Sequence, residues 1–261
     1  MSTPYKKEME TAVTAARAAG EAIARVYAGP FTVEHKSKDQ PVTEADREAN
    51  RIIREEIARV FPDDGWLSEE TVDDGSRLQK KRVWIVDPLD GTKEFIAKIP
   101  EFAVSIGLAV EGVAVVGVIF NPATGELFQA AQGAGALQNG KPIRVSGNSD
   151  LSRAKILASR SETARGEWKP FEGRFQIEMF GGMAWKMALV ASGRADGSFS
   201  LTPKNEWDVC AGALIVAEAG GIVTHPKGTP LLFNGKKTRL EGILYANPAI
   251  HEKLFKMLEA E

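Results

Sequence analysis

Cysteine and histidine are scarce in this sequence, and both scarcities narrow the chemistry available to it. Its 261 residues include one cysteine, Cys210, and three histidines. A single cysteine excludes an internal disulfide bond and a cysteine-rich zinc site. The histidines His35, His225 and His251 stand in no pattern typical of a catalytic triad, so each is predicted to be a surface residue.

Long apolar runs and basic stripes are also missing. The longest apolar stretch, residues 102–120, contains Ser105, Glu111 and three glycines, so it predicts two strands joined at Glu111-Gly112 instead of a membrane span. The formal net charge is -2, and no basic stripe with interleaved aromatics occurs, which argues against a nucleic-acid polymer as partner. Residues 1–10 are polar and have no apolar signal core, so we expect a cytoplasmic protein without membrane attachment.

The remaining composition is that of a globular protein, with 43% hydrophobic and 26% charged residues. The periodicity of apolar residues predicts helices over residues 5–28, 43–60, 183–193, 207–219 and 248–258. It predicts strands over residues 83–86, 103–110, 114–120, 126–131, 155–158, 175–180 and 243–246, the middle ones forming an antiparallel meander. Residues 35–40 are predicted to be a polar loop.

Helices alternate with strands in blocks, which indicates a layered α/β (α+β) arrangement. The length suits one large domain or two closely packed halves. We predict a single domain over residues 1–261, with an N-terminal α+β half of about 1–148 and a C-terminal α/β half of about 149–261.

Two aspartates, Asp87 and Asp90, directly follow the predicted strand 83–86. Carboxylates held this close repel each other unless a cation lies between them, and oxygen ligands select hard cations such as Mg²⁺ or Mn²⁺. Gly91 and Thr92 come next and open a short helix, where backbone N–H groups suit a phosphate. The alternative is an ordinary surface turn, since Asp and Gly are frequent in turns.

Further carboxylates occur upstream and downstream of this segment. Glu69 and Asp208, added to Asp87 and Asp90, would complete a site for two or three metal ions that binds phosphate and activates a water. Each also has a simpler interpretation, because Glu69 could be solvated and Asp208 could cap its helix. Asp46, three residues after Thr43, could likewise do no more than cap its own helix.

Three segments together resemble the inositol monophosphatase superfamily. They are residues 68–70 (Ser-Glu-Glu), 84–92 (Trp-Ile-Val-Asp-Pro-Leu-Asp-Gly-Thr) and 207–212 (Trp-Asp-Val-Cys-Ala-Gly), the last leading to residues 218–221 (Glu-Ala-Gly-Gly). The resemblance implies a layered αβαβα sandwich, the inositol monophosphatase or sugar phosphatase fold. It also implies Mg²⁺-dependent phosphomonoesterase activity on a small phosphorylated metabolite, with two or three ions, Mn²⁺ as a substitute, Li⁺ as an inhibitor, and a homodimer.

Carried over position by position, the resemblance assigns roles to individual residues. Glu69 is a metal ligand that also helps to place the attacking water, and Asp87 is a bridging metal ligand. The carbonyl of Leu89 is a further ligand. Asp90 and Asp208 bind the second ion.

The resemblance also implies the catalytic and substrate contacts. Thr92 orients the water, with Asp46 as its carboxylate partner. The predicted substrate and phosphate contacts are Asp90, Gly91, Thr92, Ser159, Gly181, Gly182, Lys204 and Asp208.

The substrate remains open between two groups of this superfamily. Residues 93–96 and 159–161 resemble the 3'(2'),5'-bisphosphate nucleotidases, although Glu162 stands where a histidine is usual. Residues 104–109 resemble the inositol enzymes, although Leu201 stands where those enzymes carry a sugar-binding glutamate. Lys204 could meet a second phosphate or be a solvated loop lysine. We therefore predict an inositol monophosphate as substrate, with adenosine 3',5'-bisphosphate as the alternative.

Two rival interpretations differ in class. Haloacid-dehalogenase phosphatases also carry Asp-Gly-Thr, but their nucleophilic aspartate lies two residues before the second aspartate. Here the gap is three residues and Pro88 intervenes. A catalytically silent relative acting as a ligand sensor is the other rival, and metal-dependent phosphate release would exclude it.

Overall fold

The computed structural model describes residues 5–37 and 40–259. In that part of the chain the α-helices are α1 (Lys6–Ala28), α2 (Glu44–Val60), α3 (Thr92–Ile96), α4 (Arg160–Ala164), α5 (Met183–Ala191), α6 (Glu206–Glu218) and α7 (Pro248–Glu259). The strands are β1 (Val33–Ser37), β2 (Gln40–Thr43), β3 (Gly65–Ser68), β4 (Arg82–Asp90), β5 (Ala103–Val110), β6 (Val113–Asn121), β7 (Glu126–Ala131), β8 (Ala136–Gln138), β9 (Lys141–Pro142), β10 (Lys155–Ser159), β11 (Gln176–Phe180), β12 (Gly197–Ser200), β13 (Lys204–Asn205), β14 (Ile222–Thr224), β15 (Arg239–Leu240) and β16 (Ile243–Ala246).

All five predicted helices form, and their ends differ from the prediction by at most two residues. The predicted strands also form. The predicted loop over residues 35–40 is wrong where the structure describes it, because β1 and β2 pair there as an antiparallel hairpin. Residues 38 and 39 lie outside the described residues. Apolar periodicity did not predict these two strands because they are short and polar and show no alternation of apolar residues.

Two sheets organise the layers. One has seven strands in the order β3-β4-β5-β6-β7-β8-β9, antiparallel except for the parallel pair β3 and β4. The other has five strands in the order β11-β10-β12-β16-β14. The predicted meander is confirmed as the centre of the first sheet.

Alternation along the strands divides the apolar residues among three cores. On β4, Trp84 and Val86 pack against α1 and α2, whereas Val83 and Ile85 pack against α5 and α6 on the other face. On β16, Ile243 and Tyr245 join the core around α5 and α6, and the intervening Leu244 joins the core that includes α7. Because side chains alternate across a strand, each sheet is covered on both faces. The predicted αβαβα sandwich is confirmed.

Two glycines let α6 approach the first sheet closely. A Cβ on Gly117 of β6 would lie 2.5 Å from the carbonyl oxygen of Ala211, and one on Gly107 of β5 would lie 2.6 Å from the Sγ of Cys210. Larger side chains there would push the helix away. This close packing brings the first turn of α6 next to the end of β4.

We propose that the chain is one domain with the two halves predicted. The strands of the seven-stranded sheet all precede residue 148 and those of the five-stranded sheet all follow it. One core, however, joins residues of both halves, such as Ile85 and Leu157. Among the described residues, no helix combines the length and apolar character needed to cross a membrane.

One prediction about the histidines is wrong. His251 is buried, and its Nε2 lies 3.0 Å from the Oγ1 of Thr224. It belongs to α7, whose inner face packs on the second sheet. The prediction rested on the lack of a triad-like pattern around this histidine, which carries no information about its burial. His35 is exposed, as predicted.

Candidate active site

The parallel pairing of β3 and β4 brings the first two carboxylates together. Ser68, the last residue of β3, pairs with Val86, and the amide of Glu69 donates to the carbonyl of Val86 at 3.2 Å. Glu69 therefore emerges beside Asp87, which is 2% exposed. The pairing of β4 with β5 is interrupted between Asp87 and Asp90, and such an irregularity bends a strand and redirects its side chains.

Helix α6 supplies the third carboxylate. Asp208 is the third residue of the helix, and its Oδ2 accepts a hydrogen bond from the amide of Asn205 at 2.9 Å, which forms a capping box. The carbonyl of Trp207 accepts a hydrogen bond from the Oγ of Ser105 on β5 at 3.3 Å, which ties this turn to the sheet. The interpretation of Asp208 as a helix cap is thus correct, and its second oxygen is left for another partner.

Glu69, Asp87 and Asp208 converge. One oxygen of each lies within 4.8 Å of the others, a spacing that can hold a metal ion. Burial raises the pKa of Asp87 well above its ordinary value, and neighbouring carboxylates raise it further, in the order Glu69, Asp90 and Asp208. Burial, and then the charge of Glu69, raise the pKa of Asp208 to about 8. Like charges held together in a desolvated site favour either protons or a cation.

Asp90 adopts a different arrangement from these three carboxylates. Its oxygens accept hydrogen bonds from the amides of Met183 at 2.9 Å and Ala184 at 2.7 Å, at the start of α5. A Cβ on Gly182 would lie 2.9 Å from the Oδ2 of Asp90, and the φ of Gly182 is +61°, so glycine is needed for this approach. Asp90 thereby joins β4 to α5, and the same bonds oppose the effect of burial, which raises its pKa.

Thr92 and Asp46 are in direct contact. The Oγ1 of Thr92 donates to the Oδ1 of Asp46 at 2.9 Å and lies 3.1 Å from the carbonyl oxygen of Leu89. The Oδ2 of Asp46 accepts from the amide of Thr43 at 2.7 Å and from its Oγ1 at 2.6 Å. Asp46 therefore caps α2 and supports Thr92 at once, although the two residues are 46 positions apart.

A cavity of about 290 Å³ opens over these groups. Its wall includes the metal-ligand candidates Glu69, Asp87 and Leu89, together with every predicted substrate contact, namely Asp90, Gly91, Thr92, Ser159, Gly181, Gly182, Lys204 and Asp208. The structure thus gathers residues from both sheets and from four helices around one space.

Lys204 contacts a residue that the predicted site left out. Its Nζ lies 2.6 Å from the Oε1 of Glu162, and its side chain is 17% exposed, so it is not a solvated loop lysine. Glu162 also accepts hydrogen bonds from Ser200 at 2.6 Å, Thr202 at 2.9 Å and Trp168 at 3.2 Å. Burial alone would raise the pKa of Glu162, but the charge and hydrogen bond of Lys204, the hydrogen bond from Ser200 and the charge of Lys186 lower it to about 2.

Leu201 does not line this cavity. It is 55% exposed and lies in a neighbouring pocket with Trp168, Phe171 and Phe199. Counting seven residues back from Asp208 therefore missed Glu162, which is one of the carboxylates in the cavity wall. Lys186 was missed as well, although a single lysine in the otherwise uncharged helix α5 is a signal that the sequence offers.

The fold is a layered sandwich, and a cluster of oxygen ligands lies beside a threonine–aspartate pair at the end of a central strand. This arrangement is expected of a metal-dependent phosphatase. The chain belongs to the inositol monophosphatase family, whose model matches residues 5–261. Family members are phosphate-ester hydrolases, and this membership sets the haloacid-dehalogenase interpretation aside.

Relatives and solved structures agree with this assignment. Inositol monophosphatase 2 of Solanum lycopersicum is 38% identical over 234 residues, covering 85% of this chain and 88% of the relative. A Thermotoga maritima protein named fructose-1,6-bisphosphatase/inositol-1-monophosphatase is 36% identical over 230 residues, covering 83% of this chain and 82% of the relative. The crystal structure of the extragenic suppressor protein suhB from Bartonella henselae superposes with a TM-score of 0.85 at 35% identity, covering 97% of this chain and 99% of that one.

Proposed function

We propose that the chain hydrolyses a small phosphate monoester with Mg²⁺ held by Glu69, Asp87 and Asp208, assisted by Asp90 and the carbonyl of Leu89. The convergence of three carboxylates within 4.8 Å at the floor of a cavity carries this proposal. The donor set consists of oxygen atoms, which suits Mg²⁺ and Mn²⁺. Burial and the neighbouring carboxylates raise the pKa values of Asp87 and Asp208, and this supports a bound cation in the cluster.

The number of ions and their alternatives are part of the proposal. We expect two or three Mg²⁺ ions, with Mn²⁺ able to replace them and Li⁺ acting as an inhibitor, as the family resemblance implies. The two carboxylate oxygens of Asp90 already accept backbone hydrogen bonds. Each oxygen has a further lone pair, with which Asp90 could bind an ion.

The chain's own residues position the reactants. Because the hydroxyl hydrogen of Thr92 goes to Asp46, its oxygen can accept a hydrogen bond from a water and leave that water's lone pair for the phosphorus. Glu69 also lines the cavity, where it would assist in placing this water. The backbone amides of Gly91 and Thr92 face the phosphate in the family resemblance. Bound Mg²⁺ would lower the pKa of the water and stabilise the charge on the phosphate and the leaving alkoxide.

Replacing Thr92 with valine should lower kcat by about 10²-fold or more, because the variant keeps the shape of the side chain but cannot orient a water. The Thr92→Ser variant keeps the hydroxyl and serves as the matched control, for which we expect kcat within a few-fold of the wild-type value. Steady-state phosphate release at saturating Mg²⁺ measures both, and the thermal midpoint checks folding. Equal kcat in the valine and serine variants would contradict the role of the hydroxyl.

An inositol monophosphate is the substrate that we propose first, with adenosine 3',5'-bisphosphate as the alternative. The relatives named inositol monophosphatases support the first. The position of Lys204 in the cavity wall supports a substrate with a further phosphate. The bifunctional name of the Thermotoga maritima relative supports broad specificity.

A parallel assay distinguishes these substrates. We expect Mg²⁺-dependent phosphate release from at least one of inositol 1-phosphate, adenosine 3',5'-bisphosphate and fructose 1,6-bisphosphate, with kcat/KM values that rank them. Release that is equal with Mg²⁺ and with a chelator, or no release from the whole panel, would contradict the proposal. The second outcome would favour the silent relative.

We also propose a cytoplasmic location and a homodimer, both of which rest on the sequence and on the family resemblance. Light scattering in solution decides the oligomeric state, since a dimer doubles the mass of 28.3 kDa.

A further inference from the structure

Glu101 and Arg160 form an ion pair that joins the two halves of the chain beside the cavity. Glu101 lies between α3 and β5, and Arg160 is the first residue of α4. The Nη1 and Nη2 of Arg160 donate to the two carboxylate oxygens of Glu101, the Nη2 at 2.9 Å. A bidentate pair of this kind fixes the orientation of both side chains as well as their distance. It therefore holds together two segments that are 59 positions apart.

The same carboxylate holds the chain just before α5. The amide of Gly181 donates to the Oε2 of Glu101 at 2.7 Å, and this oxygen also accepts from the Nη1 of Arg160. Gly181 is buried and lies 80 positions from Glu101. Hydrogen bonds to an ionised carboxylate are stronger than those to a neutral acceptor. Glu101 thus fixes the segment that leads directly into the amides that bind Asp90.

The main chain of Glu101 contacts two further parts of the site. A Cβ on Gly91 would lie 2.8 Å from the carbonyl oxygen of Glu101, and a Cβ on Gly182 would lie 3.0 Å from the same atom. This carbonyl therefore fills the space between the residue before Thr92 and the start of α5. Glu101 touches the phosphate end of the cavity with its backbone and the opposite half of the chain with its side chain.

The neighbours of this ion pair line the cavity. The wall includes Ser159 and Ser161, which flank Arg160 in the sequence, whereas Arg160 and Glu101 are not among the described residues that line it. Arg160 also lies 3.7 Å from Glu94, measured between Nη1 and Oε1, and Glu94 belongs to the wall. The two side chains are therefore placed to act through the wall residues and not on the substrate directly.

We propose that Glu101 and Arg160 are positioning residues that set the distance between the reaction centre and the wall around Ser159. Thr92 and the carboxylates at the end of β4 come from one half of the chain, and Ser159, a predicted substrate contact, comes from the other. A shift of about 1 Å in such a wall can cost about 10²-fold in efficiency. This inference rests on the proposed function and adds to it a determinant of substrate binding.

Arg160→Met and Glu101→Gln test the inference, assayed on the panel substrate that the wild-type protein hydrolyses best. We expect each variant to raise KM about tenfold and to keep kcat within about threefold, because the wall moves while the metal ligands and Thr92 stay in place. Arg160→Lys keeps the charge without the bidentate geometry and should raise KM less. The double variant should raise KM no more than the worse single variant, because the two side chains act as one unit.

Arg82→Met is a matched control. Arg82 makes a bidentate pair with Asp64, at 2.8 and 3.1 Å, and its side chain is 31% exposed, against 33% for Arg160. Arg82 begins β4, at the opposite end of this strand from the carboxylates. Arg82→Met should lower the thermal midpoint and leave KM unchanged. The inference is overturned if Arg160→Met changes KM by less than about twofold, if Arg82→Met changes KM equally, or if the single effects add in the double variant.

Hydrogen exchange in the metal-free protein separates this inference from the proposed function. We expect Arg160→Met and Glu101→Gln to speed amide exchange over residues 160–164 and 181–184 by about tenfold, and Arg82→Met to leave these amides unchanged. Unchanged exchange in the first two variants would overturn the inference. If the wild-type protein releases no phosphate from the panel while exchange is faster in these variants, the phosphatase proposal fails and the role of the pair in holding the wall stands.

Discussion

Replacing Asp87 with asparagine is expected to lower kcat at saturating Mg²⁺ by about 10³-fold or more and to leave the fold intact. Asp87 is 2% exposed and lies within 4.8 Å of both Glu69 and Asp208, measured between ligand oxygens. An amide has the size of the carboxylate but carries no charge, so the variant keeps the packing at the end of β4 and loses the attraction for a divalent ion. A loss of 10³ corresponds to about 4 kcal/mol of transition-state stabilisation.

The same substitution should not destabilise the metal-free protein. Burial and three neighbouring carboxylates raise the pKa of Asp87, which means that its charge opposes folding. The thermal midpoint of the chelator-treated Asp87→Asn variant should therefore equal or exceed that of the wild type. Asp63→Asn, at an exposed position, is the control and should change neither kcat nor the thermal midpoint. Near-normal turnover of Asp87→Asn at saturating Mg²⁺ would contradict the assignment of Asp87.

The second large effect concerns pH. In the metal-free protein, the folded-state pKa of Asp208 is about 8, against an ordinary value of 3.8. Between these values the folded state holds a proton that the unfolded state has released, so the free energy of unfolding falls as pH rises. The stabilisation from the protonated carboxyl is fully present below about pH 3.8 and is lost as pH passes through about 8. Each pKa unit is worth about 1.4 kcal/mol.

Thermal unfolding from pH 5 to pH 9 measures this effect, with and without saturating Mg²⁺. We expect the stabilisation by Mg²⁺ to grow as pH rises, because the ion replaces the protons that the cluster loses. Glu162, whose pKa is lowered to about 2, acts in the opposite direction but only in strongly acidic solution. Stabilisation by Mg²⁺ that is independent of pH would show that the cluster is not what binds the ion.

Local sequence patterns predicted the parts of the site that are close in the chain. Asp87, Asp90 and Thr92 lie at and just beyond the end of one buried strand, β4, and apolar periodicity located α2 and α6, which carry Asp46 and Asp208. The family motifs then linked these segments to Glu69. The periodicity of the strands and helices also predicted the layers, because each apolar face must be covered.

The rest of the cavity wall depends on contacts that no local pattern encodes. Glu162 meets Lys204 from 42 positions away and Ser200 from 38 positions away. The position of Leu201 shows the same limit, since counting along the chain aligned it with the sugar-binding glutamate of the inositol enzymes, whereas the structure places it outside the cavity. Lys186 is an exception, because a lysine within an otherwise apolar helix can be recognised from the sequence alone.

The most direct test is phosphate release by protein stripped with a chelator and then titrated with Mg²⁺, using the three-substrate panel. The wild-type protein should release phosphate from at least one substrate only after Mg²⁺ is added, and Asp87→Asn should release none above background. Undiminished release in the chelator, or equal release by Asp87→Asn and the wild type at saturating Mg²⁺, would contradict a metal-dependent site built on this carboxylate cluster.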